Sequence, residues 1–131
     1  MSHREIHAAL DGHLKAMEGL PPVAWENVAF RPPMDGSAYL RTDFMPNSSD
    51  YGSLGDIGTV HEKGLYQVGV SAPSGEGSGG AEALADRIIS HFTRKTLGAL
   101  RTTLPYRGQA RPGEGRMFIA VTVPYQLERF T

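Results

Sequence analysis

Apolar residues follow a helical period in two segments of this chain and a period of two in the segments between and after them. Near the start, Ser2 and Glu5 form the pattern of a capping box. The apolar residues that follow lie three or four positions apart on one helical face: Ile6, Ala9, Leu10, Leu14 and Met17. Gly19 and the pair Pro21-Pro22 then end the predicted helix.

The second helical segment follows a glycine-rich stretch, Pro73 to Gly80. Its apolar residues make a continuous stripe, which predicts a helix packed on a core: Ala81, Leu84, Ala85, Ile88, Ile89 and Phe92. The chain therefore contains two amphipathic helices separated by more than sixty residues of a different pattern.

Strands are predicted where side chains alternate between apolar and polar. Ser37 to Met45 places Tyr39, Arg41 and Asp43 on a solvent-facing side, and His61 to Ala72 resumes the alternation. A short extended piece is expected at Trp25 to Phe30, and the polar, glycine-containing stretch Pro46 to Thr59 predicts a long flexible loop.

The C-terminal part predicts a hairpin of two strands, about Ala99 to Ala110 and Arg116 to Leu127, joined at Pro112 to Gly115. Pro105 and Pro124 lack an amide donor, so we expect them at strand ends or on an edge. Five residues are expected in the core: Trp25, Tyr66, Ile88, Phe92 and Val121.

The order of these elements predicts an α+β fold, a mostly antiparallel sheet with two helices packed on it. At 131 residues the chain has the length of a single domain, 1–131, with one hydrophobic core. It has no cysteine, which excludes disulfides and thiolate metal sites. Charged residues interrupt the first twenty positions, and no apolar run reaches membrane-spanning length, so we expect neither a signal peptide nor a membrane partner.

Charge is divided unevenly along the chain. Residues 1–86 contain 12 acidic and 5 basic residues, whereas residues 87–131 contain 2 acidic and 8 basic ones. This division favours either complementary faces that meet between copies or a surface that contacts nucleic acid. The alternative is that folding interleaves the two parts and leaves no coherent patch.

Two patterns resemble parts of ligand sites. Each lacks a further residue that its ligand would need, so neither predicts a site. Gly75, Gly77 and Gly80 match G-x-G-x-x-G, but no carboxylate follows about twenty positions later, so a dinucleotide cofactor is not expected. His3 and His7 lie one helical turn apart without an aligned third ligand, which favours solvated histidines over a metal. The chain also lacks any catalytic motif at a mechanistic spacing, so we expect no enzymatic activity.

Several segments together resemble the phage tail terminator-like family, and their order covers most of the chain. They are Trp25-Glu-Asn27, Tyr39-Leu-Arg41, Gly64-Leu-Tyr-Gln-Val68, the run from Pro73 to Asp86, His91-Phe92 and Val123-Pro-Tyr125. The chain departs from the family pattern at Thr93-Arg-Lys-Thr-Leu97, where a glycine-containing turn is more usual.

The resemblance implies a structural protein of the virion tail, assembled in the bacterial host cytoplasm. It implies a ring, commonly a hexamer, that caps the tail tube, ends its polymerisation and offers a surface to the head. The implied partners are further copies of the chain, the tail tube protein and the head-tail connector, and contact between the basic part and DNA passing through the lumen is the rival explanation of the charge. A head-tail connector or neck protein, or a ring module that contacts DNA, is the alternative function.

Candidate interface residues come from the solvent-facing strand side, the long loop and the basic hairpin. They are Arg41, Asp43, Asn47, Asp50, Arg107 and Arg111.

Overall fold

The computed structural model describes residues 2–34, 36–51, 59–73, 79–113 and 115–130, with backbone alone at 48–51, 59, 79 and 129–130. These residues form the helices α1 (His3–Lys15) and α2 (Gly79–Phe92). The strands are β1 (Val23–Ala24), β2 (Tyr39–Tyr51), β3 (Thr59–Pro73), β4 (Thr96–Leu97), β5 (Leu100–Thr102), β6 (Tyr106–Arg107), β7 (Arg111–Gly113) and β8 (Arg116–Phe130).

All of these strands belong to one sheet. Its order is β1-β2-β3-β8-β5-β4, and β6 and β7 also pair with β8. The pairs are antiparallel except for the short parallel contact between β1 and β2. The predicted α+β fold with a mostly antiparallel sheet is therefore confirmed. In the described part of the chain no helix is long and apolar enough to cross a membrane.

The core lies between the helices and one face of the long strands. Because side chains alternate along a strand, every second residue of β3 and β8 points to this side. The fully buried residues that meet there include Ile6, Leu10, Leu14, Tyr66, Val68, Ile88, Phe92, Val121 and Val123. Trp25 was expected in the core but is only half-buried at its border, with the Lys15 ammonium 5.0 Å from the centre of its ring.

Specific groups cap the start of α1 and the end of α2. The predicted capping box is present, since the amide of Glu5 donates to Ser2 Oγ and the amide of Ser2 donates to Glu5 Oε1, each over 3.1 Å. At the end of α2, Thr102 Oγ1 donates to the carbonyl of Phe92 over 2.5 Å. Arg94 follows with a positive φ of 51°, so an arginine occupies the left-handed position that usually favours glycine.

Three predicted segments differ from the structure. The loop expected over 46–59 is shorter, because β2 continues through Tyr51 and β3 begins at Thr59; positions 52–58 lie outside the described residues. The strand expected at 99–110 is broken into β5, β6 and the start of a connection to β7. The extended piece expected at Trp25 is a turn, and the nearest strand, β1, ends one residue earlier.

Pro124 lies within β8 and not at a strand end. The sheet accommodates it because the strands that pair with β8 on that side are interrupted between β5 and β6. Its carbonyl accepts a hydrogen bond from the amide of Thr103 over 3.1 Å, so its ring nitrogen faces the gap between β5 and β6. Since no ladder partner is required there, a residue without an amide proton costs the sheet nothing. Pro105 lies in the same gap and is buried.

Gly64 allows an aromatic ring to lie flat on the sheet. It is paired directly with Tyr125, and a β-carbon at position 64 would overlap the tyrosine ring. Tyr125 is 3% exposed, and its burial, followed by the nearby charge of Glu62, raises the pKa of its phenol to about 12. The glycine is thus required by packing and not by a turn.

Candidate assembly surface

The side of β2, β3 and β8 that faces away from the helices is called the open face here. No described helix covers it. Apart from Ser71 and Thr122, the described side chains of this face on these strands are half-buried or exposed. Strand register aligns the open-face residues in rows, such as Met45, Leu65 and Pro124, or Tyr39, Ser71 and Phe118.

Large apolar side chains are exposed on this face. Met45 is 37% exposed and Phe118 is 40% exposed, and Tyr106, which pairs with Thr122 on the same face, is 55% exposed. Aromatic residues, methionine and arginine are the types enriched at protein interfaces. A sheet face with this composition is typical of a binding surface that is covered in the assembled state.

A groove of about 400 Å³ crosses the open face. Its lining includes Tyr39, Arg41, Gly69 and Phe118. Because Gly69 has no side chain, the space above its backbone is part of the groove. Arg116 stiffens one wall, because its guanidinium lies 4.9 Å from the centre of the Tyr39 ring and donates to Ser71 Oγ over 3.2 Å. Contacts within the subunit itself therefore form the groove.

The structure brings some of the predicted interface residues together and separates others. Arg41 and Asp43 lie on the open face of β2, and Arg111 joins them because it pairs with Phe118. The backbone of Asp50 is at an open-face position opposite His61, and its side chain lies outside the described residues. Asn47 is exposed at a register shift in β2.

Arg107 lies on the other side of the sheet. It pairs with Val121, a core residue, and its guanidinium is 3.8 Å from a carboxylate oxygen of Glu82 on α2. Arg107 and Arg111 were predicted as one basic hairpin patch, but the register places their side chains on opposite faces.

The acidic part of the sequence, 1–86, and the basic part, 87–131, do not form two separate surfaces in the folded protein. Basic residues of the C-terminal part, such as Arg87 and Arg107, lie on the helix side of the sheet, while Arg41 and Lys63 of the acidic part lie on the open face. Among described side chains, basic residues outnumber acidic ones on the open face: Arg41, Lys63, Arg101, Arg111 and Arg116 against Asp43 and Glu128.

A second group of polar residues lies under α1. His7 Nε2 is 3.5 Å from oxygens of both Asp11 and Glu26, and its ring stacks on Phe44 with 4.7 Å between centres. Tyr66 donates its hydroxyl to Asp11 over 2.5 Å, and burial together with this bond raises the pKa of the phenol, which stays a donor.

This polar group fastens the first helix to the sheet. Glu26 also accepts the outward-facing amide of Phe44 over 3.2 Å, which satisfies an edge position of β2. In the ranges that the structure describes, no set of three or more histidine and carboxylate side chains could hold a metal ion. Of the glycine pattern, Gly75 and Gly77 lie outside the described residues, and Gly80 is exposed.

The fold and this surface define a class: a small α+β subunit whose sheet has one face packed under helices and one face available for contacts. The family comparison is specific. A sequence profile of the phage tail terminator protein family matches residues 5–125. This chain belongs to that family, whose members are structural proteins of the phage tail.

Solved structures support the same fold. One protein of known structure has 29% sequence identity and a TM-score of 0.73, and the match covers 100% of this chain and 99% of that one. No curated protein sequence matches this chain. Membership in the family identifies a component of the virion tail that interacts with other tail or head components.

Proposed function

We propose that this protein forms a ring of identical subunits, a hexamer, at the end of the phage tail tube. There it ends polymerisation of the tube protein and provides the surface on which the head-tail connector docks. Assembly takes place in the cytoplasm of the bacterial host. The protein acts through binding equilibria and not through catalysis.

The open face carries this proposal. It exposes Met45, Tyr106 and Phe118 beside arginines, on a sheet whose opposite side holds the whole core. In a closed ring each subunit contacts its two neighbours through two different surfaces. Arg41, Asp43, Asn47, Asp50 and Arg111 supply one of these contacts in our proposal, and Arg107, on the opposite face, belongs to the other.

The test compares two charge reversals of equal size. Arg41→Glu with Arg111→Glu changes the open face, while Arg4→Glu with Arg31→Glu changes exposed arginines elsewhere. Exposed charges contribute about 0 to 1 kcal/mol each to stability, so both variants should fold. Because a ring repeats its contact at every subunit, only the open-face variant should need a much higher concentration to assemble.

Sedimentation velocity measures ring formation, and electron microscopy of tube reactions measures capping. We expect wild type and the Arg4/Arg31 variant to shorten tubes at similar concentrations and the Arg41/Arg111 variant to lose this effect. Equal capping by all three proteins would show that the open face makes no contact in the assembly.

The basic excess on the open face favours a second candidate, a ring module whose open face contacts DNA. Binding to duplex DNA is measured by gel shift at low salt, because phosphate contacts weaken steeply as salt rises. Loss of DNA binding in the Arg41/Arg111 variant, with ring formation unchanged, would support this second function over the first.

A further inference from the structure

Two histidines join the C-terminal ends of the two helices. His13 lies in the last turn of α1 and His91 in the last turn of α2. His13 Nε2 is 2.6 Å from the carbonyl oxygen of His91, and His91 Nε2 is 2.5 Å from the carbonyl oxygen of His13. Because a carbonyl can only accept, both Nε2 atoms carry a proton and act as donors.

The two rings are also stacked. Their centres are 4.0 Å apart and their planes differ by 17°. Phe92 meets both rings edge-on, with centres 4.9 Å from His13 and 5.5 Å from His91. Each carbonyl in this pair belongs to one of the last four residues of its helix, where the regular amide partner four residues later is missing, and the carbonyl of His13 also accepts the C-cap amide of Ala16 over 3.2 Å. The pair therefore caps both helices at once.

We propose that the stacked pair of His13 and His91 is a proton-operated clasp between α1 and α2, closed while at least one ring is neutral and released when both are protonated. A singly protonated pair keeps both hydrogen bonds, and the negative ends of the two helix dipoles favour one positive charge. A second charge at a ring separation of 4.0 Å adds direct repulsion in a half-buried position.

Other charged groups around the clasp partly cancel. Glu18, Asp86, Arg87 and Lys95 line the groove beside His91, and the Arg87 guanidinium donates to the carbonyl of Glu18. Burial lowers the pKa of His13, and the charges of His91 and Lys95 lower it further, against the hydrogen bond to His91, which raises it. Stability from this group is therefore complete above the ordinary histidine pKa, about 6.5, and is lost as the pH falls below it.

Loss of the acid response when either ring is removed distinguishes the clasp from a single titrating group. Amide hydrogen exchange at Ala16 and Met17 reports opening of the last turn of α1, because the amide of Ala16 donates to the carbonyl of His13. With the intrinsic pH effect removed, opening in wild type should rise more than about tenfold between pH 7.5 and 5. The logarithm of opening should change with pH with a slope approaching one proton, because the open pair binds two protons and the closed pair already holds one.

The variants His91→Gln and His13→Gln keep an amide donor and remove one charge. In each, the slope should fall well below one proton, because the doubly charged pair can no longer form, and in His91→Gln the pKa of His13 should rise. His61→Gln is the matched control, since His61 lies on the open face with its Nε2 3.3 Å from Gln126. This control should keep the wild-type slope.

Nitrogen-15 spectra of the wild-type histidine rings at pH 7.5 test the geometry without any substitution. Protons on Nε2 of both rings support the clasp, and a ring without a proton on Nε2 overturns it. A slope that stays near one proton in His91→Gln would also overturn it, because the acid response would then belong to other groups.

Discussion

Gly64→Ala should destabilise this protein far more than a glycine-to-alanine change in a strand usually does. The new β-carbon would overlap the side chain of Tyr125; even Cε2, the most distant of the three nearest side-chain atoms, would be 2.7 Å away. Tyr125 cannot tilt freely, because it is 3% exposed and its ring lies 5.7 Å from that of Phe44. The tyrosine must therefore leave its position or push the strand away.

The loss of stability can be estimated from these two responses of Tyr125, displacement of the strand or loss of the buried ring. Overpacking a core typically costs about 1 to 3 kcal/mol, and complete loss of a buried aromatic side chain about 3 to 5 kcal/mol. Alanine recovers roughly 0.5 to 1 kcal/mol relative to glycine in a strand, because the unfolded chain becomes less flexible. We expect the free energy of unfolding to fall by about 2 to 4 kcal/mol.

Gly69→Ala is the matched control on the same strand. Its β-carbon would point to the open face, where the nearest atom is the carbonyl oxygen of Arg41 at 3.7 Å, an ordinary contact. Stability should therefore stay the same or rise by up to about 1 kcal/mol. Urea unfolding followed by circular dichroism and by the fluorescence of Trp25, the single tryptophan, measures both variants.

A double-mutant cycle assigns the cost to Tyr125. In a Tyr125→Leu background, Gly64→Ala should cost less than half of what it costs in wild type, because the overlapping ring is gone. Equal unfolding midpoints for Gly64→Ala and Gly69→Ala, or an undiminished cost in the Tyr125→Leu background, would refute the packing argument.

Three other substitutions test the helices, and each is measured by urea unfolding. Phe92→Ala should cost about 3 to 5 kcal/mol, because the side chain is fully buried; a variant as stable as wild type would contradict this placement. Arg94→Gly should stabilise by about 1 kcal/mol, since φ is 51° there, and a loss of stability would show that the arginine side chain outweighs its strain. Ser2→Ala should cost about 0.5 to 2 kcal/mol through loss of the capping box, while Ser90→Ala, an exposed position in α2, should change little.

Much of the fold could be predicted from local patterns. The stripe ending at Phe92 identified α2 because a helix that packs on a core must repeat its apolar residues with a helical period. The capping box at Ser2 identified the start of α1 for a similarly local reason. The extent of β2 past Pro46 was missed, because the pairing of polar residues with β3 is decided by the partner strand and not by their own propensities.

The candidate surface was only partly predictable. Arg41 and Asp43 were placed correctly on a solvent-facing side, since alternation within one strand is a local property. Exposed apolar residues such as Phe118 were not singled out, because a period of two does not say which side of a strand a helix will cover. The clasp was missed as well, since His13 and His91 are far apart in sequence and lie on different helices.

Local patterns predicted the helices, most strand positions, the fold class and the family resemblance, because these depend on periodicity, caps and turn residues within short segments. Which residues share a surface depended on contacts between distant parts of the chain. Strand register places Arg107 and Arg111 on opposite faces although they are four positions apart, and it brings Arg41 and Arg111 to the same face from distant parts of the chain. The physical reason is that a shift of one residue in pairing turns a side chain to the other side of a sheet, and pairing is fixed by long-range packing.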